Sequence, residues 1–398
     1  MQTATRKRHS SPESGDYWYD AAAAQRAVDF FRLFLRHVKG DSAGSPFVLL
    51  SWQENEVIRP AFGWKRKDGS RKYRRVYVEI PRKNGKSTMC AGIALALLFA
   101  DGEPGAEVYS AASDRDQAAI VFDVARTMVD EEPELAQQSQ SYRRSIVVPS
   151  TRSSYKVLSA DAYSKHGLNA HGIIFDELHA QPNRELWDVL TTSTGARRQP
   201  LIVSITTAGF DRHSICWELH DYALKVRDGI IDDPTFLPVI YAAPEDADWT
   251  DPKVWKAANP SLGVTISEEY LAQECKRAQD SPAYQNTFRR LHLNQWTEQE
   301  SRWIDIANYD ASEGHAIETD SYKGQRCFVG LDLSTTTDIT ARALLFRCSE
   351  DAGAYDCVMQ FWVPEEAIEK RAQRDRVPYP QWEREGWIEA TSGNVVDY

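Results

Sequence analysis

Apolar residues recur along this chain in two rhythms, and the switching between them predicts its elements. From Ala21 to Lys39 the apolar positions Val28, Phe31, Leu33 and Leu35 fall at near-helical spacing, with Gly40 as a stop, so an amphipathic helix is expected. Phe47–Leu50 reads as a short strand. Arg75–Ile80, dense in β-branched and aromatic residues, reads as another, followed by a glycine-containing turn and an Ala/Leu-rich helix over Ser87–Ala100. The alternation then repeats. Strands are expected at Ala106–Ala111, Ile146–Val148, Tyr155–Ser159, Gly172–Asp176 and Pro200–Thr206, and helices at Asp114–Val129 and Arg184–Ser193. Strands alternating with helices imply an α/β domain built on a mainly parallel sheet.

The rhythm breaks at Asp246–Gly263, which is rich in Pro, Asp, Trp and Asn. Helices are expected again at Ser267–Gln279 and Pro282–Leu293, then a polar, irregular stretch. Three strands in succession follow, at Cys327–Leu333, Ala341–Phe346 and Cys357–Trp362. The expected organisation is therefore a disordered tail (1–20), an α/β domain (21–245), a small helical subdomain (246–300), a linker (301–325) and a second sheet domain (326–398). A chain of 398 residues is long enough for two or three domains.

Composition narrows the classes. Hydrophobic residues make up 42% and charged residues 26%, as in ordinary globular protein. No apolar run approaches the roughly 18 residues that span a bilayer. The stretch before Tyr17, with Arg6, Lys7 and Arg8, lacks the apolar segment of a secretion signal. The six cysteines are scattered, without a C-x-x-C pair, which suits a reducing cytosol and argues against a zinc site or a disulfide framework. A net charge of −11 argues against coating nucleic acid through global charge, but not against a local basic channel.

The candidate chemistry starts at Ile80-Pro81-Arg82-Lys83-Asn84-Gly85-Lys86-Ser87-Thr88. It is similar to the G-x-x-x-x-G-K-[ST] phosphate loop, with Ile80 in place of the first glycine. Gly85 permits a tight turn. The backbone amides of Asn84–Ser87 can cradle phosphate at a helix N-terminus, Lys86 can reach the outer phosphates of ATP, and Ser87 can hold Mg²⁺. Arg82 and Thr88 flank these groups. The alternative is a basic surface turn. The apolar strand Gly172-Ile173-Ile174-Phe175 ends in Asp176 and Glu177, and in parallel sheets such ends gather beside the phosphate loop. Asp176 would hold Mg²⁺ and Glu177 would polarise the attacking water. Thr206-Thr207-Ala208-Gly209 ends the next strand and could sense the terminal phosphate through Thr207. Gln53 could read adenine by paired hydrogen bonds. The cluster Lys65, Arg66, Lys67, Arg71, Lys72, Arg74 and Arg75 around Gly69 is either a hairpin facing DNA phosphates or a solvated basic hairpin.

These segments resemble the large terminase subunit of tailed bacteriophages. The resemblance runs through the Gln53 segment, the glycine-deficient loop at Arg82–Ser87, Ile174-Phe175-Asp176-Glu177-Leu178-His179 and Thr206–Gly209. It continues through Ala258-Asn259-Pro260-Ser261-Leu262-Gly263, Leu293-Asn294-Gln295-Trp296 and Gly330-Leu331-Asp332-Leu333-Ser334. It implies a P-loop ATPase that translocates double-stranded DNA into a procapsid, with a helical lid and a C-terminal nuclease of RNase H-like fold. It implies ATP and Mg²⁺ as cofactors, and portal protein and the small terminase subunit as partners. It also implies assembly into a homo-oligomeric ring, no membrane, and the host cytoplasm as the location. An arginine from a neighbouring subunit usually completes such sites; Arg212 is the first candidate and Arg82 the second. The competing readings are a helicase-like P-loop translocase and an inactive remnant that binds portal or small terminase without pumping.

For the nuclease, the resemblance makes Asp332 a ligand for Mg²⁺ or Mn²⁺, with Asp338 assisting. Two ions about 4 Å apart need several carboxylates. Beyond Asp338 the only late acid in a suggestive setting is Asp397, next to the last residue and weakly anchored. The expectation is an incomplete nuclease sheet that does not cleave DNA alone.

Overall fold

The computed structural model describes residues 16–113, 115–158, 167–212, 214–297, 319–333, 338–347, 355–375 and 377–393. The chain divides between residues 305 and 306 into two compact units.

In the first unit the elements run β1 (Tyr17–Tyr19), α1 (Ala21–Phe34), α2 (Arg59–Gly63), β2 (Trp64–Arg66), β3 (Arg75–Glu79), α3 (Lys86–Phe99), β4 (Glu107–Ala111), α4 (Arg115–Glu131) and α5 (Pro133–Gln138). There follow β5 (Gln140–Ser141), β6 (Ser145–Val148), β7 (Ser153–Val157), β8 (Gly172–Asp176), α6 (Glu185–Thr192), β9 (Leu201–Thr206), α7 (Ile215–Arg227) and β10 (Phe236–Ile240). Three helices close the unit: α8 (Pro252–Ala258), α9 (Glu268–Asp280) and α10 (Pro282–Leu293).

Eight strands form one sheet in the order β10-β3-β9-β8-β4-β7-β6-β5, parallel from β10 to β7 and antiparallel over β6 and β5. The strands β8 (GIIFD) and β9 (LIVSIT) are buried at every position. Such continuous apolar runs are required of parallel strands covered on both faces. The period-2 alternation then splits the core. Val76, Val78, Ile174, Val203 and Ile205 pack with α1, α3 and α4 on one face, while Tyr77, Ile173, Phe175 and Ile202 pack with α6 and α7 on the other. Helices α8–α10 bury a core of their own around Trp255, Leu271, Phe288 and Leu293.

Four expectations need correction. Helix α1 stops at Phe34, not at Gly40, because Leu35 turns extended and its carbonyl accepts from Phe47 N (2.8 Å), drawing the chain into a bridge between Arg36 and Pro46. The bridge falls at Pro46, and Phe47–Leu50 itself forms no strand. Residues 17–19 are ordered rather than tail, since Tyr17–Tyr19 pair antiparallel with Trp64–Arg66 and Trp18 donates to the Arg66 carbonyl at 3.0 Å. The basic cluster is not a uniform DNA-facing hairpin. Arg71 is fully buried and ion-paired to Asp101 at 2.5 Å, and the Lys72 ammonium lies 4.8–5.1 Å from the ring centres of Tyr17, Trp64 and Tyr73. Both basic groups staple the fold.

In the second unit β11 (Cys327–Asp332), β12 (Thr340–Arg347) and β13 (Tyr355–Pro364) form an antiparallel meander, and β14 (Glu389–Thr391) adds in parallel to β13. A helix over Ile368–Asp375 and Val363, Ile368 and Ile388 make its small core. The strand β11 is an edge, and Phe328, Val329 and Leu331 on it are exposed. Residues 301–318, most of the expected linker, and Asp397 lie outside the described residues.

Candidate functional site

The C-terminal ends of three adjacent parallel strands, β3, β9 and β8, build the site. The phosphate-loop segment follows β3, the Thr206–Gly209 segment follows β9, and Asp176 and Glu177 end β8. Register places Glu79 of β3 opposite Thr206, and Asp176 of β8 opposite Ile205, so β9 separates loop from acids by one strand.

In the loop, Gly85 takes φ +81°, where a side chain would be strained and a Cβ would lie 3.1 Å from Gln53 Nε2. Helix α3 begins at Lys86, leaving its first amides unpaired within the helix. The Lys86 side chain is 6% exposed and donates to the Ile80 carbonyl at 3.1 Å. Burial lowers its pKa, while Glu177 and Asp176 oppose that shift through their charge, so the ammonium sits within the field of both acids. Desolvation, then the neighbouring Glu177, pushes the Asp176 carboxyl up to about 7. Glu177 goes the other way. Burial would raise it, but His179, Lys86 and Arg82 outweigh that and hold it at about 2. The pair is thus driven apart, with Glu177 ionised throughout the working range. Glu177 is also, among the described residues, one of four non-glycine residues in the left-handed region, at φ 48°, and its amide donates to Asp176 Oδ1 at 3.0 Å. Lys83 (φ 68°) and Asn294 (φ 56°) are two others, so local strain collects at this end of the sheet.

These groups fit a magnesium–nucleotide. A buried ammonium whose hydrogen bond goes to a neutral carbonyl, a helix start, and a buried Glu177 Oε2 without a hydrogen-bond partner all point into one place. His179 Nδ1 lies 3.1 Å from that Oε2, close enough for an ion pair although off the hydrogen-bond direction. Ser87 and Thr88, half-buried in the first turn of α3, complete the loop.

Burial of Asp176 has a stability consequence. Its folded carboxyl binds a proton more tightly than the unfolded one, whose ordinary value is 3.8. Stability therefore falls as pH climbs from about 4 to about 7 and stays low above. Asp176→Asn is expected to raise the melting temperature of the nucleotide-free protein, by an amount equivalent to about 1–4 kcal/mol at pH 8 and much less at pH 5. Equal gains at both pH values in a thermal scan would contradict this.

Other sequence-derived candidates fall differently. Gln53, on a π-helical turn (Gln53–Ile58), is 2% exposed, and its Oε1 accepts from Leu50 N at 3.0 Å. The bond from Leu50 N occupies an acceptor position that adenine pairing would use, while the amide nitrogen lies beside Gly85 of the loop. The Asn84 side chain does not face phosphate. It is fully buried, donates to Asn259 Oδ1 (2.8 Å) and accepts from Ser261 N (3.1 Å), tying the loop to the α8 segment. Only its backbone is left for a ligand. Thr207 is buried with Oγ1 3.4 Å from His179 Nδ1, and Thr206 Oγ1 lies at 3.1 Å from the same nitrogen. His179 thus joins Glu177 to the segment after β9, a role that sequence reading missed. Arg82 is exposed on the loop. Arg212 is exposed and its guanidinium stacks 4.9 Å from the Trp217 ring centre.

In the second unit Asp332 ends β11 and Asp338 precedes β12. Asp338 Oδ1 accepts from Ile339 N at 2.9 Å. Among the described residues no group of three or more His, Cys, Asp or Glu side chains is placed to hold a metal ion. Asp332 and Asp338 by themselves leave a two-ion site short of carboxylate ligands.

The family model described as "Terminase large subunit, ATPase domain" matches residues 52–225, and "Terminase large subunit, endonuclease domain" matches 230–398. The large terminase subunit of Enterobacteria phage HK97 is 33% identical over 380 residues, which is 94% of this chain and 72% of that protein. The chain belongs to the large terminase subunits. It carries the ATPase and endonuclease domains of that family, and the readings as a helicase or an inactive remnant are not favoured. The crystal structure of the HK97 large terminase superposes with a TM-score of 0.61 at 31% identity, covering 94% of this chain and 75% of that one. Protein YmfN of Escherichia coli K12 is 30% identical over 238 residues, 58% of this chain and 52% of that protein. As a terminase with these domains, the chain uses nucleotide and divalent metal; among the described residues no helix is long and apolar enough to cross a membrane.

Proposed function

We propose that this terminase chain couples ATP hydrolysis at the β3–β9–β8 edge to movement of double-stranded DNA into a procapsid. The observation that supports it best is the buried Lys86 held in the field of Asp176 and Glu177. Backbone amides of the loop and Lys86 would bind the outer phosphates, Lys86 exchanging the Ile80 carbonyl for them. Ser87 and Asp176 would hold Mg²⁺, which when bound neutralises charge on the phosphates. Glu177, kept ionised, accepts a hydrogen bond from the attacking water and orients it. His179 keeps the Glu177 carboxylate next to Thr206 and Thr207, so a change at the acid reaches the segment after β9. Gln53 would contribute from the far side of Gly85. Arg212, or Arg82, would reach a neighbouring subunit's nucleotide in a homo-oligomeric ring. Portal protein and small terminase are the proposed partners, in the host cytoplasm.

The test is a packaging reaction with purified chain, small terminase, portal-bearing procapsids and double-stranded DNA. ATP-dependent protection of DNA from added nuclease, with hydrolysis stimulated by DNA, is the expected result. Protection independent of ATP, or none together with no turnover, would overturn the reading.

A further inference from the structure

Glu79 is the last residue of β3, one position before the phosphate-loop segment, and its side chain is fully buried. Its carboxylate meets a phenol, an imidazole, an indole and an amide. Oε2 accepts from Tyr77 OH (2.5 Å) and faces His220 Nδ1 (2.8 Å); Oε1 accepts from Trp296 Nε1 (3.2 Å) and Asn294 Nδ2 (3.3 Å). Two of these partners come from just beyond α10, the last helix of the helical subdomain. A carboxylate this deeply buried is tolerated only when its lone pairs are so occupied.

Asn294 does more than complete that set. It caps α10 in the left-handed conformation, and its Oδ1 accepts from Ala208 N at 2.6 Å, in the segment after β9. Its Nδ2 also donates to the Tyr241 carbonyl at 2.8 Å. Tyr241 directly follows β10, on the connection into the helical subdomain, and Tyr241 N in turn donates to the Glu79 carbonyl at 2.9 Å. The two connections of the subdomain are laced together nearby, with Ala243 N donating to Leu293 O (2.9 Å) and Gln295 Nε2 to Pro244 O (2.5 Å). Trp296 packs so closely on Gly209 that a Cβ there would lie 2.9 Å from its ring. One amide side chain therefore touches the strand before the loop, the segment after β9 and both connections of the subdomain.

We propose that Asn294 is a positioning residue that passes the state of the segment Thr206–Gly209 to the helical subdomain, with Glu79 as its fixed anchor and Trp296 as its packing support. It acts through Ala208 and not on nucleotide. A shift of Ala208 pulls on the Asn294 carbonyl oxygen while Glu79 holds the amide nitrogen, so the side chain turns and carries the end of α10 with it. The inference rests on the ATP reading of the site.

The experiment is hydrogen–deuterium exchange with and without a non-hydrolysable ATP analogue, together with steady-state hydrolysis. In the unaltered chain, nucleotide is expected to slow exchange both in the first turn of α3 and in α9 and α10. Asn294→Gly keeps the left-handed backbone and removes the three side-chain bonds, to Ala208, Glu79 and Tyr241. It is expected to retain the α3 response and a KM for ATP within about threefold, to lose the α9 and α10 response, and to lower DNA-stimulated kcat at least tenfold. Retention of the α9 and α10 response in a folded Asn294→Gly chain overturns the proposal, as does its absence from the unaltered chain. No response at α3 in the unaltered chain would instead overturn the ATP reading. Should Asn294→Gly fail to fold, Asn294→Asp keeps an oxygen for Ala208 but sets a carboxylate against Glu79, and a retained α9 and α10 response there overturns the proposal equally.

Discussion

Replacing Glu177 by Gln is expected to lower the rate of ATP hydrolysis about a thousandfold while leaving ATP binding nearly unchanged. The amide keeps the shape and the left-handed backbone at φ 48° but loses the charge that Lys86, His179 and Arg82 stabilise at about pH 2 and above. A neutral oxygen accepts a hydrogen bond from water but does not draw its proton. Binding survives because the groups that grip phosphate belong to the loop and α3, one strand away across β9. Lys86→Ala should not separate the two functions, weakening binding along with turnover. Steady-state hydrolysis beside equilibrium binding of a fluorescent ATP analogue measures both. Wild-type turnover by Glu177→Gln would remove Glu177 from the chemistry.

Arg71→Met is expected to destabilise the first unit by about 3–5 kcal/mol. The guanidinium is fully buried, pairs with Asp101 at 2.5 Å, and lies 5.0 Å from the Phe62 ring centre; Asp101 also meets His171 Nε2 at 2.7 Å. Burial alone would raise the Asp101 carboxyl above its ordinary 3.8, but Arg71 and His171 reverse this and hold it lower. A depressed carboxyl contributes stability above its unfolded pKa and loses it as pH falls through the folded one. Removing Arg71 leaves a buried, half-satisfied carboxylate and takes away Arg71's share of this acid-sensitive contribution, leaving that of His171. Arg71→Met combined with Asp101→Leu should recover much of the loss, since no buried charge is left uncompensated. Urea unfolding of the single and double variants at pH 7 decides it, and a single variant within about 1 kcal/mol of wild type would show that the pair contributes little.

The parts of this molecule visible in its sequence are those with a local signature. Strand β8 and helix α10 fall on the residues expected, Gly172–Asp176 and Pro282–Leu293, because a five-residue apolar run ending in acids and a proline-led amphipathic helix each carry their own period. Lys86, Asp176 and Glu177 were legible for the same reason. Strand β10 was not, since Pro238 interrupts an otherwise strand-like run, and it is tolerated there because β10 is a sheet edge. The amide of Asn84 and the carboxylate of Glu79 were not legible either. Their partners lie 175 residues (Asn259) and 215 residues (Asn294) away, and a buried polar pairing at that range leaves no periodic trace. Arg71 and Lys72 misled for a related reason. Charge count alone does not tell a solvated lysine from one enclosed by aromatic rings.

The position of β9 has a further consequence. It is flanked by the strand that leads into the lysine's loop and the strand that delivers the acids, pairing with the first over Ile202–Thr206 and with the second over Leu201–Ile205. Its Val203 and Ile205 are buried in the core between the strand before the phosphate-loop segment and the strand ending in Asp176, and so set the spacing between the two halves of the candidate site. A methyl group lost from this central spacer is therefore expected to shift Lys86 against Asp176 and Glu177, lowering turnover as well as stability.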